Sequence, residues 1–198
     1  NATAVKTCPA PFQSVRMGEP QFPIGPETAT VSFEYGSYSP VGIYSERYST
    51  RNYFGCSLIL HGVSILGMTP GITVRQVDFK SGGDGVTVAS TMKISQFLGP
   101  LTCRISLRDI AGLPDMWLVR KSLEFNFSIL DGASRVEFES TRHYPVVEWV
   151  HTACISAGAM FRLYRGIGIG FDAGYARIFT AGEDFCAYTM ALRAEVGM

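Results

Sequence analysis

Charged side chains are scarce in this sequence. Asp, Glu, Lys and Arg make up 17% of its 198 residues, whereas about a quarter is usual for a soluble domain. The 17 basic and 17 acidic residues cancel, and strong electrostatic capture of nucleic acid usually needs a basic surplus. A subunit covered by neighbours needs less surface charge than a monomer does. A membrane barrel shows the same deficit, so the shortage alone does not separate these two classes.

Metal-binding and redox motifs are also missing. The five cysteines contain no C-x-x-C pair and no metal-ligand spacing. They are Cys8, Cys56, Cys103, Cys154 and Cys186. Isolated thiols of this kind are typical of small core residues in a protein made in a reducing cytosol. We therefore predict no metal site and no cofactor.

Signatures of nucleophilic catalysis are absent from the sequence. It has three histidines and no G-x-S-x-G elbow. Cys154 follows His151 by three residues, which on a strand places the two side chains on opposite faces. A core thiol is therefore favoured over a Cys/His dyad. No catalytic residue is predicted, and the chain is not expected to be an enzyme.

One glycine-rich stretch matches a nucleotide-binding pattern. Gly168, Gly170 and Ala173 fit G-x-G-x-x-A, but phosphate binding by this motif needs a helix directly after it. The residues that follow are strand-like. Glycines that allow close strand packing or a bulge are the favoured interpretation.

Long apolar runs are lacking as well, since no uncharged run approaches the roughly 18–20 residues that span a bilayer as a helix. The first 27 residues contain five prolines and show no periodicity. Proline fixes φ and removes a hydrogen-bond donor. Residues 1–27 are therefore predicted to form an extended arm.

Short strand-like segments recur from residue 28 onward, each bounded by Gly, Pro or Asp. They are Thr28–Tyr35, Tyr53–Leu66, Ile72–Lys80, Val86–Phe97, Leu101–Asp109, Met116–Lys121, Ser122–Leu130, Val136–Ser140, Val146–Ser156, Met160–Phe171, Tyr175–Phe179 and Phe185–Val196. In Ser122–Leu130 the apolar Leu123, Phe125, Phe127 and Ile129 alternate with polar residues, which predicts a half-buried strand with its apolar side on a core. So many strands in one domain are typical of a sandwich, a jelly roll or a barrel.

Basic residues are spread over the second half of the chain. They are Arg104, Arg108, Arg120, Lys121, Arg135, Arg142, Arg162, Arg165 and Arg177. Contact with RNA, with an aromatic side chain stacked on a base, is one interpretation. Solvated or inter-subunit arginines are favoured over it.

Two stretches carry a resemblance to a known family. Thr28–Gly42 (TATVSFEYGSYSPVG) is similar to the segment that opens the β-sandwich of the small coat protein of comoviruses and fabaviruses. Leu123–Thr141 (LEFNFSILDGASRVEFEST) resembles that family's L-N-F-S-F strand, its glycine turn and its F-E-F-A-E-S strand. Ile105–Arg120 and Tyr188–Val196 fit more loosely.

The resemblance implies a single jelly-roll β-sandwich of eight main antiparallel strands over residues 28–198, preceded by the arm. It implies a capsid protein of an icosahedral, picorna-like plant virus, cut from a precursor, which the start at Asn1 suits. The expected partners are a large coat protein and other copies of the chain around the five-fold axis. Weak contact with genomic RNA and no membrane contact are also expected. The expected location is the virion, and the host cytoplasm during assembly.

Two alternatives stay open at this point. Met160–Phe179 and the closing strand alternate small and aromatic residues like strands of an outer-membrane β-barrel. A ligand-binding jelly roll is the other alternative, and it would need a pocket lined by convergent polar groups.

Overall fold

Eight long strands dominate the computed structural model, which describes residues 28–81, 90–107, 122–140, 143–164 and 166–198. They are β1 (Ala29–Val41), β2 (Arg51–Leu60), β3 (Thr69–Lys80), β4 (Ser90–Ser106), β5 (Leu123–Ser140), β6 (His143–Tyr164), β7 (Ile167–Phe179) and β8 (Phe185–Gly197). One short helix, α1 (Ile43–Arg47), lies between β1 and β2. No helix in the described ranges has the length and apolarity needed to cross a bilayer. The predicted arm lies outside the described residues.

The strands form one closed antiparallel barrel in sequence order. Each strand pairs with the next, and β8 returns to β1 with a register that runs from Thr30↔Gly197 to Val41↔Cys186. Closure gives every strand two neighbours over most of its length. We call the end where β1 begins and β8 finishes the terminal end, and the opposite one the distal end.

The jelly-roll prediction is wrong. A jelly roll folds its strands into two sheets with long crossings between them, whereas here consecutive strands pair and a single sheet closes on itself. The strand content was visible in the sequence. The pairing order was not, because alternation along a strand does not specify which strand lies beside it.

Several predicted strand breaks are wrong as well, because β4, β5, β6 and β7 each continue through a glycine-containing stretch. Asp131-Gly132 was expected to be a turn, yet both residues pair with β4 and β6. A Cβ on Gly132 would lie 2.9 Å from the Cα of Leu98. Glycine is needed here for close approach of two strand backbones.

The barrel interior has an apolar distal half. Its buried side chains include Tyr38, Tyr53, Val77, Phe79, Met92, Ile94, Val136, Ile178 and Phe185. At the mouth, Tyr44 of α1 packs on Phe185 with ring centroids 5.1 Å apart. Tyr48 packs on Phe79 at 5.9 Å. Helix α1 therefore helps to close the distal end with aromatic rings.

Candidate functional site

The outer wall of the barrel carries exposed large apolar side chains from all eight strands. They are Phe33, Tyr35, Phe54, Leu58, Leu60, Ile72, Val74, Phe97, Ile105, Phe125, Phe127, Ile129, Ile155, Ile167, Ile169, Phe171, Tyr188, Met190, Leu192 and Val196. We call this set the apolar belt. A soluble monomer rarely exposes a contiguous apolar patch of more than a few hundred Å². A belt that encircles the molecule therefore needs an apolar surrounding.

The apolar side chains of β5 face outward, and the prediction that they face a core is wrong. Phe125, Phe127 and Ile129 are 43%, 44% and 43% exposed, although they were expected to face a core. Asn126 and Ser128, between them, are buried inside the barrel. The period of two was correct. The direction was wrong because alternation shows that a strand has two unlike faces, not which of them faces inward.

The height of the belt can be judged along β8. From Tyr188 to Val196 the outward residues are all apolar, and eight steps of about 3.3 Å give about 26 Å along the strand. A tilt of about 40° reduces that to about 20 Å along the barrel axis. The belt of a membrane barrel is about 25 Å tall, so the two are comparable.

A ring of polar side chains covers the outer wall at the distal end. It comprises Asn52, Gln76, Asp78, Lys80, Lys93, Ser95, Asp131, Arg135, Glu137, Glu139, His151 and Arg177, and we call it the polar collar. Where it meets the belt, Asn52 Nδ2 donates to the Tyr35 hydroxyl over 2.8 Å. Toward the distal end the outer surface thus changes from mainly apolar to mainly polar, although Val147, Trp149 and Phe179 are exposed apolar residues at the level of the collar.

Most charges of the collar occur in pairs. His151 Nε2 lies 2.7 Å from Asp131 Oδ1, and Arg177 Nε donates to Asp184 Oδ2 over 2.8 Å. Arg135 pairs with Glu137, and Lys93 with Glu139. Exposed pairs of this kind add little stability. Their main effect is to make the outer surface at this end of the molecule polar and hydrated.

Inside the barrel, the terminal half and the middle hold a network of polar and charged side chains to which every strand contributes. Its members are Glu34 (β1), Ser57 (β2), Arg75 (β3), Arg104 (β4), Glu124 and Asn126 (β5), Arg162 (β6), Asp172 (β7), and Arg193 and Glu195 (β8). We call it the interior charge network. It joins four arginines to four carboxylates, so its formal charge is zero.

Arg193 is the centre of this network. Its Nη1 donates to Asp172 Oδ2 over 2.8 Å, and its Nε lies 3.4 Å from Glu195 and 3.9 Å from Glu34. Glu34 in turn accepts a 2.9 Å bond from Arg75 Nε. Removal of charges from water is costly unless they are paired and hydrogen-bonded. The mutual pairing explains how so many charges are tolerated in a filled interior.

The network continues toward the terminal end through Glu195, which is buried. Arg104 Nη2 donates to Glu195 Oε1 over 2.9 Å, and Arg162 Nη2 lies 3.2 Å from Glu195 Oε2. Arg162 Nε also donates to Glu124 over 3.0 Å. The arginines near this mouth are therefore held by carboxylates of β5 and β8.

The basic residues named in the sequence analysis lie in different parts of the structure. Arg104 and Arg162 were expected to be solvated or to face other subunits, and both lie inside the barrel instead. Arg135 and Arg177 are part of the polar collar. The others fall outside the described residues, namely Arg108, Arg120, Lys121, Arg142 and Arg165.

The cysteines follow the prediction only in part. Cys154 is buried in the core cluster, whereas His151 is exposed on the outer wall, so these two side chains do occupy opposite faces. Cys56, Cys103 and Cys186 are half-buried on the outer wall, so the core assignment is wrong for these three. Cys8 is outside the described residues. Within the described part of the chain, no three metal-ligating side chains come together.

The glycine-rich stretch is part of strand β7, as the strand-packing interpretation predicts. A Cβ on Gly168 would lie 2.9 Å from the Met160 sulfur, and one on Gly170 would lie 2.8 Å from Met160 Cε. The two glycines thus make room for a methionine of the neighbouring strand.

Sequence reasoning missed the interior charge network entirely. Glu34, Arg75, Asp172, Arg193 and Glu195 lie at inward positions, and most of the outward residues beside them along the strands are apolar. The available signal was charged residues that alternate with bulky apolar ones. In a water-soluble sandwich the charged residues of such a strand face out, so the alternation alone does not indicate an interior network.

No protein-family model and no curated protein matches the sequence. Among solved structures, the fold is similar to Neisserial surface protein A, with a TM-score of 0.57 and 6% identity over 86% of this chain and 97% of that one. Ail of Yersinia pestis gives a TM-score of 0.49 at 13% identity, with 84% and 96% covered. The N-terminal β-barrel domain of Pseudomonas aeruginosa OprF gives 0.43 at 9% identity, with 85% and 98% covered. Only the first bears on the fold.

The coat-protein interpretation is wrong. The chain is a single closed barrel like that of Neisserial surface protein A, not the wedge-shaped sandwich that a capsid subunit requires. The expectations that depended on the capsid are therefore wrong too: a large coat-protein partner, sister copies at five-fold vertices, contact with genomic RNA, absence of membrane contact, and a location in virion or host cytoplasm. The local resemblance in Thr28–Gly42 and Leu123–Thr141 reflects amphipathic strands, which both folds use.

Proposed function

We propose that this chain is an integral membrane protein, a small β-barrel of the outer-membrane type that is embedded in lipid through its apolar belt. The observation that carries the proposal is the belt itself, because it encircles all eight strands while a network of paired charges lies inside the barrel. This distribution is the reverse of that in a soluble barrel. It is the one expected where the surrounding solvent is hydrocarbon.

Closure of the sheet supports the same proposal. Hydrocarbon offers no hydrogen bonds, so a spanning β-structure must satisfy its backbone groups between strands and leave no edge within the bilayer. The register between β8 and β1 closes this barrel along the length of the belt. The name of the similar structure, Neisserial surface protein A, agrees with such a location.

We propose further that the barrel serves as an anchor, not as a diffusion pore or an enzyme. Eight strands enclose an interior just wide enough for side chains to fill. Here the interior charge network occupies one half and aromatic and aliphatic side chains occupy the other. Such a barrel holds its distal surface at a membrane boundary.

A depth measurement tests the membrane proposal. Cys103 lies in the belt between Leu101 and Ile105, so it can carry a fluorophore after the other four cysteines are replaced by alanine. In phosphatidylcholine vesicles, lipids with brominated acyl chains should quench this fluorophore strongly. The matched control carries the fluorophore at Gln76→Cys in the polar collar, in a background without other cysteines.

The control fluorophore should be quenched much less than that on Cys103, because brominated acyl chains do not reach the collar. Equal quenching at the two positions, or a folded barrel that stays in the aqueous phase, would contradict the proposal.

A further inference from the structure

Strand β6 is much longer than the strand that follows it. It has 22 residues and β7 has 13, and their pairing begins at His151↔Phe179. Residues 143–150 of β6 therefore have no ladder partner on the β7 side within the described part of the chain. We call this segment, His143–Val150, the rim edge. It presents backbone N–H and C=O groups that a further strand could pair with.

The rim edge is held in strand conformation from its other side. It pairs with β5 through Val136↔Glu148, Phe138↔Val146 and Ser140↔His143. Strand β5 is backed in turn by β4, whose ladder reaches Ser90↔Ser140. A partner that docked here would therefore meet a preorganised edge and would not have to order it.

The edge lies on the polar side of the belt. Val147 pairs with Glu137, and Trp149 pairs with Arg135, and both partners belong to the polar collar. Even so, Tyr144 is 94% exposed, Trp149 is 63% exposed, and Val146 and Val147 are also exposed. These apolar side chains lie beside charged residues of the polar collar, and burial against a protein would be favourable. The Trp149 ring also packs on Phe97 of the apolar belt, with ring centroids 5.9 Å apart.

We infer that the rim edge is a docking site for an extended segment of a different polypeptide, which adds to the barrel wall as a β-strand. Main-chain hydrogen bonds supply the pairing in this mode of recognition, and alternate side chains supply its specificity. The segment that fits is apolar at the positions beside Val147 and Trp149. It carries a basic residue beside Glu148, the only charge in the run Tyr144–Val150.

A second copy of the chain does not fit the same edge in a shared membrane. Both copies would point the same way through the bilayer, so antiparallel pairing would need one barrel to be inverted. Parallel pairing fails too, because strands tilted about 40° on facing barrels would cross at about 80°, and paired strands differ by only about 25°. This step rests on the proposed function, and the exposed edge itself does not.

Amide hydrogen exchange can detect strand addition directly. The probe is the acetylated and amidated peptide Thr-Val-Thr-Val-Lys-Val-Thr-Val, added to the full chain in neutral detergent micelles. About half of the amides in residues 144–150 point away from β5, and their exchange should slow by at least about tenfold at saturating peptide. A peptide with Glu in place of Lys should bind more weakly.

Three variants and a control separate the edge from other surfaces. Val147→Lys and Trp149→Lys should each weaken the protection by the Lys peptide. Glu148→Lys should reverse the preference, so that the Glu peptide protects better. Gln76→Lys places the same charge on a collar strand that is paired on both sides, and it should leave binding unchanged.

The inference would be overturned if neither peptide slowed exchange in residues 144–150, or if Glu148→Lys left the preference unchanged. A dimer by light scattering, with these amides protected before any peptide is added, would also overturn it in favour of a second copy. Peptide binding together with failure of the quenching experiment would leave the edge intact and reject only the membrane location.

Discussion

At the scale of the residue, Arg193 shows how the barrel tolerates charge in its interior. Its guanidinium bonds to Asp172 and also lies near Glu34 and Glu195. Without the Arg193 cation, these three buried carboxylates have only Arg75, Arg104 and Arg162 as cationic partners. Loss of one partner from a buried pair is far more costly than loss of an exposed pair, because the charge left behind cannot be hydrated.

We therefore expect Arg193→Met to lower the free energy of unfolding by about 3–5 kcal/mol. Urea titration in lipid vesicles, followed by tryptophan fluorescence, measures the change. Arg177→Met is the matched control, since Arg177 is exposed beside Asp184 in the polar collar. It should leave the midpoint nearly unchanged, and equal effects of the two substitutions would refute a structural role for the interior network.

At the scale of the element, Gly158 of β6 shows how three strands fit together around the same network. Gly158 pairs with Asn126 on one side and with Asp172 on the other. Asn126 Nδ2 donates to Asp172 Oδ1 over 2.7 Å, across the position where Gly158 has no side chain. A Cβ there would overlap the Asp172 carboxylate and the Phe171 carbonyl oxygen.

Gly158→Ala should therefore destabilise the barrel by about 1–3 kcal/mol through overpacking, with loss of the bond between Asn126 and Asp172. Gly99→Ala is the control, because a Cβ at Gly99 would meet only the Asp131 carbonyl oxygen at an ordinary 3.6 Å. The control should be neutral or slightly stabilising, since alanine restricts the unfolded chain. Unfolding titrations of both variants check this, and a neutral Gly158→Ala would contradict the packing of β5, β6 and β7.

At the scale of the whole molecule, the belt and the collar divide the outer surface into two zones. Leu192, 64% exposed, lies midway between Tyr188 and Val196 on the apolar stretch of β8. Gln76 is exposed in the collar on β3. A cation placed in hydrocarbon loses its hydration, whereas one placed in the collar keeps it.

Leu192→Arg should accordingly destabilise the barrel in vesicles by about 2–4 kcal/mol, and Gln76→Arg should have little effect. Folding yield and urea midpoints in phosphatidylcholine vesicles measure both variants. Similar midpoints for the two would mean that the belt does not face lipid.

Part of this architecture could be predicted from the sequence. Alternation in Ile72–Lys80 and Phe185–Val196 placed two strands close to their observed positions, and alternation in Ser122–Leu130 indicated the first half of β5. Gly168 and Gly170 were correctly placed in a strand, and Cys154 was correctly placed on the face opposite His151. These features depend on neighbours along the chain, so local physical chemistry decides them.

The interior charge network could not be predicted from neighbours along the chain. Glu34 and Arg75 are 41 residues apart, and Arg193 is far from both. Nothing local indicates that they meet, because their distances follow from the strand order and from closure between β8 and β1. The strand end predicted at Asp131-Gly132 is wrong for a related reason. Gly132 allows close approach of a neighbouring strand and does not form a turn.

The sequence by itself determined that this protein is made of amphipathic strands with one bulky apolar face and one smaller, partly charged face. Only the tertiary structure decided which face is inside. The physical reason is that an alternating sequence is the same whether its apolar face or its polar face lies inside. Closure of the sheet breaks that symmetry, because the charged faces can pair with one another within the barrel and the apolar faces are then left to the surroundings.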